Sequence, residues 1–181
     1  MRVRPWMILF SALVLIISSI SFAYAQKAPD AAPAKEAVLK AADVGGKVFP
    51  DKVFFRGQVA GVQARNTGGV RYADEFLVMA GLVDNSGYSS GLKEKYQGYL
   101  ITEVPVQVGG QTLRPGAYGF GFIEGDKLVV MDLGGNDVLQ VSSTKDADIK
   151  RPVPLQMVAG SSAGNYRLYK GRDYVEFHRV K

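Results

Sequence analysis

The residues best placed by type and spacing to do chemistry are Ser89 and His178. Ser89 lies in Gly87-Tyr88-Ser89-Ser90-Gly91, a formal match to G-x-S-x-G. In serine hydrolases of the α/β class, this pattern forms a strained strand-to-helix elbow that lifts the serine hydroxyl toward its base. The order of the chain permits a triad, because Asp132, Asp137, Asp146, Asp148 and Asp173 all fall between Ser89 and His178. The context does not fit an elbow. Asp84-Asn85-Ser86 separate the motif from the apolar run before it, and only Leu92 to Gln97 offers a turn of helix after it. A polar surface loop accounts for the same letters.

His178 is the only histidine of the chain, and there is no cysteine. Thiol chemistry, cysteine metal sites and histidine-cluster metal sites are therefore excluded. Strand alternation across Tyr174–Val180 puts Tyr174, Glu176 and His178 on one face, with Val175, Phe177 and Arg179 on the other. Glu176 and His178 thus become same-face neighbours able to hydrogen bond. Asp132-Leu133-Gly134-Gly135-Asn136-Asp137 gathers oxygen ligands, but it lacks the register of a calcium loop and reads as a hairpin turn. No cofactor and no metal site is expected.

Two segments are candidates for binding. In 117–123, Tyr118, Phe120 and Phe122 share one face, while Ala117, Gly119, Gly121 and Ile123 share the other. Alternate glycines in a strand offer nothing to pack, so something must press close to that face. A large aromatic from a neighbouring element would do this, and so would a ligand lying flat. The second segment is the last hairpin, where Arg167, Tyr169, Lys170, Arg172 and Tyr174 combine basic and aromatic groups suited to an anion or a polysaccharide. A solvated edge guarded by lysine and arginine has the same composition. The expected ligand-binding residues are Tyr118, Phe120, Phe122, Arg172 and Tyr174.

The elements that must position these residues read as strands. Apolar runs at 54–55, 59–63, 76–83, 96–104 and 106–108 are followed by others at 117–123, 127–133, 138–142, 154–158, 166–169 and 174–180. Turn signals separate them: Asn66-Thr67-Gly68-Gly69, Asp84-Asn85-Ser86-Gly87, Gly109-Gly110, Pro115-Gly116, Gly125-Asp126 and Gly134-Gly135. Pro105 belongs at an edge or bulge. The expectation is an all-β antiparallel meander of about nine or ten short strands, closed as a small barrel or split into a sandwich. The stretch 109–118 resembles a hairpin common in exported bacterial β-sandwich domains, and it carries no functional residues.

The amino-terminal end is organised differently. Arg2 and Arg4 precede an apolar stretch from Trp6 to Ile20, and Ala23-Tyr24-Ala25 supplies the small residues of a cleavage site. This is the layout of a secretory signal peptide over residues 1–25. The apolar stretch, about 15 residues, is short against the roughly 20 of a spanning helix. Removing residues 1–25 from the 181 leaves 156, one domain able to bury a core. Without Arg2 and Arg4 the formal charge of +5 falls to +3, too mild to point to nucleic acid. Residues 26–46 read as a flexible leader in which Ala37, Val38, Ala41 and Ala42 could share one face of a short helix, and 47–181 as a single all-β domain.

These readings imply a periplasmic or secreted, non-catalytic protein acting as a binding or structural accessory in the cell envelope. Its partner would be an envelope component, a glycan or a small apolar ligand. Two alternatives carry different signatures. A carrier of an apolar ligand needs an empty barrel interior, and a hydrolase needs Ser89 beside His178. An integral outer-membrane barrel needs strands of about 9–11 residues, longer than most runs here.

Overall fold

A computed structural model describes residues 35–180. The proposed signal peptide and most of the leader lie outside the described residues. The strands are β1 (Ala37–Leu39), β2 (Lys52–Phe55), β3 (Gln58–Arg71), β4 (Leu77–Val83), β5 (Gly98–Thr102), β6 (Val106–Val108) and β7 (Gln111–Leu113). They continue as β8 (Gly116–Ile123), β9 (Lys127–Met131), β10 (Asp137–Ser142), β11 (Thr144–Lys145), β12 (Gln156–Ala159), β13 (Asn165–Lys170) and β14 (Asp173–Arg179). Two short helices, α1 (Ala41–Val44) and α2 (Ser90–Lys95), interrupt them.

The strands form two antiparallel sheets. The larger runs β1-β3-β4-β5-β8-β9-β10, with β2 also paired to β3. The smaller runs β12-β13-β14-β6-β7, with β11 on β14. The chain leaves the larger sheet at Pro105, makes the β6–β7 hairpin in the smaller one, and returns as β8 beside β5. The Pro105 carbonyl accepts a bond from Val180 N–H at 2.9 Å. Each sheet keeps two terminal strands, so the structure is all-β without being a closed barrel. The barrel expectation is corrected accordingly.

Alternation along the strands of the larger sheet builds two cores. Val78, Ala80, Leu100, Phe120, Phe122, Leu128 and Val130 face the smaller sheet, where they meet Val106, Val108, Met157, Leu168, Val175 and Phe177. Met79, Tyr99, Val129 and Met131 face the other way, onto Val44, Phe49, Val53, Phe55, Tyr88 and Tyr96. The central strands of the larger sheet are therefore covered on both sides. That is why 76–83 reads as an unbroken apolar run rather than an alternating one.

Two expectations change. Asn66-Thr67-Gly68-Gly69 is not a turn but lies inside the long β3. The irregularity in its pairing falls between Val62 and Thr67. The glycines are there for close approach: a Cβ on Gly69 would stand 3.0 Å from the Val78 carbonyl oxygen. Residues 37–44 are also not a loose arm. β1 pairs with Gly69–Arg71, only 41–44 is helical, and Val44 is fully buried in the outer core.

The outer core holds an aromatic cluster. Phe55 stacks on Tyr96 with ring centroids 3.9 Å apart, and Tyr88 meets Tyr96 edge-on at 5.0 Å. The Tyr88 hydroxyl donates to the Phe55 carbonyl at 3.1 Å, whereas the buried Tyr96 hydroxyl makes no well-formed bond and has only the Tyr88 hydroxyl near it. A buried hydroxyl without a bond costs about 1–3 kcal/mol. Tyr96→Phe should therefore be neutral or stabilising by about 1 kcal/mol, and Tyr88→Phe destabilising by a similar amount. Urea midpoints of the two variants check this; a loss of stability in Tyr96→Phe would contradict it.

Candidate functional site

The structure places the sequence-selected residues in separate regions. Phe120 is fully buried and Phe122 nearly so, both between the sheets. Tyr118 is half-buried at the edge of that core, its hydroxyl donating to the Arg114 carbonyl at 3.0 Å. The facing glycines meet protein. A Cβ on Gly119 would lie 2.5 Å from the Phe55 ring and 2.9 Å from Tyr96, and one on Gly121 would strike the Lys95 carbonyl. What presses on the glycine face is the aromatic cluster together with α2.

Ser89 and His178 are not brought together. Ser89 is exposed at the start of α2, its carbonyl accepting from Leu92 and Lys93. The buried member of the motif is Tyr88. Helix α2 packs on the outer side of β8, whereas His178 alternates with buried Phe177 and so faces away from the inter-sheet core. Two sheets, packed about 10 Å apart, separate the serine from the histidine. The Asp132 turn is likewise occupied by the chain itself. Its carboxylate accepts from Asn136 Nδ2 at 2.9 Å and from Asn136 N–H at 2.9 Å. These bonds, the side-chain one first, hold Asp132 below the usual carboxylate range. Among the described residues, no group of three or more acidic or histidine side chains is placed to hold a metal.

The remaining candidate is the outer face of the smaller sheet. Tyr166 and Leu168 point into the core, so Asn165, Arg167 and Tyr169 of β13 lie on the outer face, where Tyr169 is itself buried. From β14 the outward residues are Tyr174, Glu176 and His178, and from β6, Gln107. The register sets Asn165 opposite His178, Arg167 opposite Glu176, and Tyr169 opposite Tyr174.

These side chains hold one another. Glu176 takes Asn165 Nδ2 at 2.8 Å on one oxygen and Arg167 Nε at 3.1 Å on the other. Arg167 lies over the Tyr174 ring, 4.7 Å from its centroid, and Tyr174 lies 4.9 Å from Tyr169. The Tyr169 hydroxyl donates to Asp146 at 2.8 Å, and Arg172 Nε donates to the Ile149 carbonyl at 3.0 Å. Arg172 thus fastens the 146–154 loop to the end of the hairpin that carries Tyr174. The Glu176–His178 contact expected from alternation gives way to Arg167 and Asn165, which satisfy both carboxylate oxygens.

The electrostatics follow from this pairing. Bonds from Arg167, then Asn165, hold Glu176 below the ordinary glutamate range. Tyr169 and Glu176 raise the Arg167 guanidinium above its usual value, and burial raises the Tyr169 hydroxyl. A carboxylate whose pKa is depressed on folding stabilises the fold above its unfolded value, near 4.3, and that gain is lost as pH falls through the folded value. The stability of wild type should consequently drop between about pH 5 and pH 3 by more than that of Glu176→Gln. Urea midpoints across that range measure the difference, and identical acid limbs would refute it.

The arrangement can present a planar aromatic beside fixed charged and amide groups. It offers no nucleophile next to a base. Arg167, Tyr169 and Tyr174 are visible in the sequence as a basic and aromatic cluster. Asn165 and Gln107 are not, although the alternation of Asn165, Arg167 and Tyr169 against Tyr166 and Leu168 carries the signal for Asn165. Arg179 has a different role. It binds Asp74 at 2.7 Å and lies over Tyr72, tying the last strand to the 72–76 turn.

Compared with known proteins, the chain matches no protein family, and no curated protein or solved structure gives a significant match.

Proposed function

We propose that this chain is a non-catalytic, exported all-β domain that acts as a binding or structural accessory in the cell envelope. It would do so through the outer face of the smaller sheet. The observation that carries this reading is the unequal covering of the two sheets. The central strands of the larger sheet bury both faces, whereas the smaller sheet buries one and turns a polar face carrying Tyr174 outward. Paired beforehand, Glu176, Arg167 and Asn165 would meet a partner with little further ordering, which favours affinity. A glycan suits such a face, since sugars offer flat apolar surfaces and rings of hydroxyls.

The interior gives no support to carriage of an apolar ligand between the sheets. The space among Val78, Leu100, Met157 and Phe177 is about 20 Å³, room for about one water. The separation of Ser89 from His178 likewise leaves the hydrolase reading without a site.

The test is retention of the mature protein on isolated envelope fractions, including glycan sacculi. Retention should fall at least fivefold in Tyr174→Ala and stay unchanged in Ser89→Ala. Equal retention of all three proteins would remove the outer face from consideration. For export, the mature protein recovered from a periplasmic or secreted fraction should begin at Gln26; an uncleaved amino terminus would overturn that part.

A further inference from the structure

We infer a second binding site, a groove between the open edges of the two sheets that takes a free fatty acid one molecule at a time. β1 ends the larger sheet and β12 ends the smaller. They lie side by side without a ladder between them, and a groove of about 470 Å³ runs along the seam. Its size falls within the roughly 300–1,000 Å³ typical of small-molecule sites.

The chemistry of the walls selects an amphiphile. The edge of β1 at Val38 and Leu39 forms one side, and Val153, Pro154 and Val158 form the other, above the buried Leu155 and Met157. At one end stand Lys40 and Arg65, both exposed. No acidic residue lines the groove, and neither cation has an ion-pair partner among the described residues. An apolar trough ending in two cations complements an acyl chain ending in a carboxylate.

The same geometry disfavours an added β-strand, the usual occupant of two open edges. At Gly68 the floor of the groove is already closed. A Cβ there would lie 3.1 Å from the Met157 backbone nitrogen and 3.7 Å from the Gln156 carbonyl carbon, so β3 already stands against β12. A strand needs about 4.8 Å on each side for its ladder. A slender chain that asks for no backbone bonds can lie in the trough where a peptide cannot. This site borders the outer face of the smaller sheet at Val158, beside Arg167, but uses none of Arg167, Tyr174 and Glu176 and does not depend on them.

The experiment is calorimetric titration of the mature protein with decanoate, with decanol and acetate as the two halves of the ligand's chemistry. Decanoate should saturate at one per chain, decanol should bind more weakly, and acetate should not bind. The double variant Lys40→Glu/Arg65→Glu should weaken decanoate at least tenfold and leave decanol unchanged. Val153→Glu, at an exposed position on the wall, should weaken both. Amide NMR shifts of wild type on adding decanoate should cluster at 38–41, 65–68 and 153–159, a readout that needs no variant to fold. Absence of saturable decanoate binding would overturn the inference. So would undiminished binding in the double variant, shifts centred elsewhere, or binding only to phosphatidylglycerol vesicles.

Discussion

Gly121→Val is expected to cost the domain about 3 kcal/mol or more, the upper part of the range for overpacked cores. The collision is with backbone. A Cβ at Gly121 would run into the carbonyl oxygen of Lys95 and stand 3.1 Å from that of Glu94. Helix α2 cannot move aside cheaply, because Gln97 locks its end to β8. The Gln97 amide donates to Phe122 O at 2.9 Å and to Glu94 O at 2.8 Å, and accepts from Phe122 N–H at 3.0 Å. Asn85 holds the same helix end through the Tyr96 carbonyl at 2.6 Å. At roughly 2–4 °C per kcal/mol for a domain of this size, the melting temperature should fall by about 10 °C. Gly91 in α2 is the control. A Cβ there would meet nothing within 4 Å, so Gly91→Ala should be neutral or stabilising by up to about 1 kcal/mol. Urea unfolding of both variants decides the matter. A Gly121→Val protein as stable as wild type would mean that α2 is not seated as described.

The second large effect is expected at Phe120. Its ring is fully buried between the sheets and lies across Gly98, so truncation leaves bare backbone facing an empty space. Phe120→Ala should lose about 3–5 kcal/mol by denaturant unfolding. The result also separates two roles for the aromatic stripe. A ligand platform would lose binding and keep its stability, whereas a core residue loses stability first. A Phe120→Ala protein with wild-type unfolding would restore the platform reading.

Much of the fold is legible in the sequence because it is made of tight hairpins. Gly125 and Asp126 both take positive φ in the β8–β9 turn, as their residue types suggest, and Gly109-Gly110 does the same between β6 and β7. What the sequence conceals is the second use of glycine. Gly68 and Gly69 look like punctuation, yet they lie in β3 because neighbouring backbone comes too near for a side chain. Sheet membership is concealed as well. β6 and β7 read as part of a continuous meander, but Pro105 marks a change of layer. For the candidate site, alternation in the last hairpin gives the outward residues, whereas the partners of Glu176 depend on cross-strand register.

The change of layer at Pro105 has a consequence for how the chain folds. Most of the larger sheet is built from neighbours in sequence: β2 with β3, β3 with β4, β4 with β5, β8 with β9, and β9 with β10. The smaller sheet waits for β14, the last strand, to reach β6, setting Phe177 opposite Val108. Closing so long a loop is entropically costly and slow. Docking of the last hairpin onto β6 is therefore a late step, whereas the cluster of Tyr174, Glu176, Arg167 and Asn165 lies within that hairpin and can form before it docks.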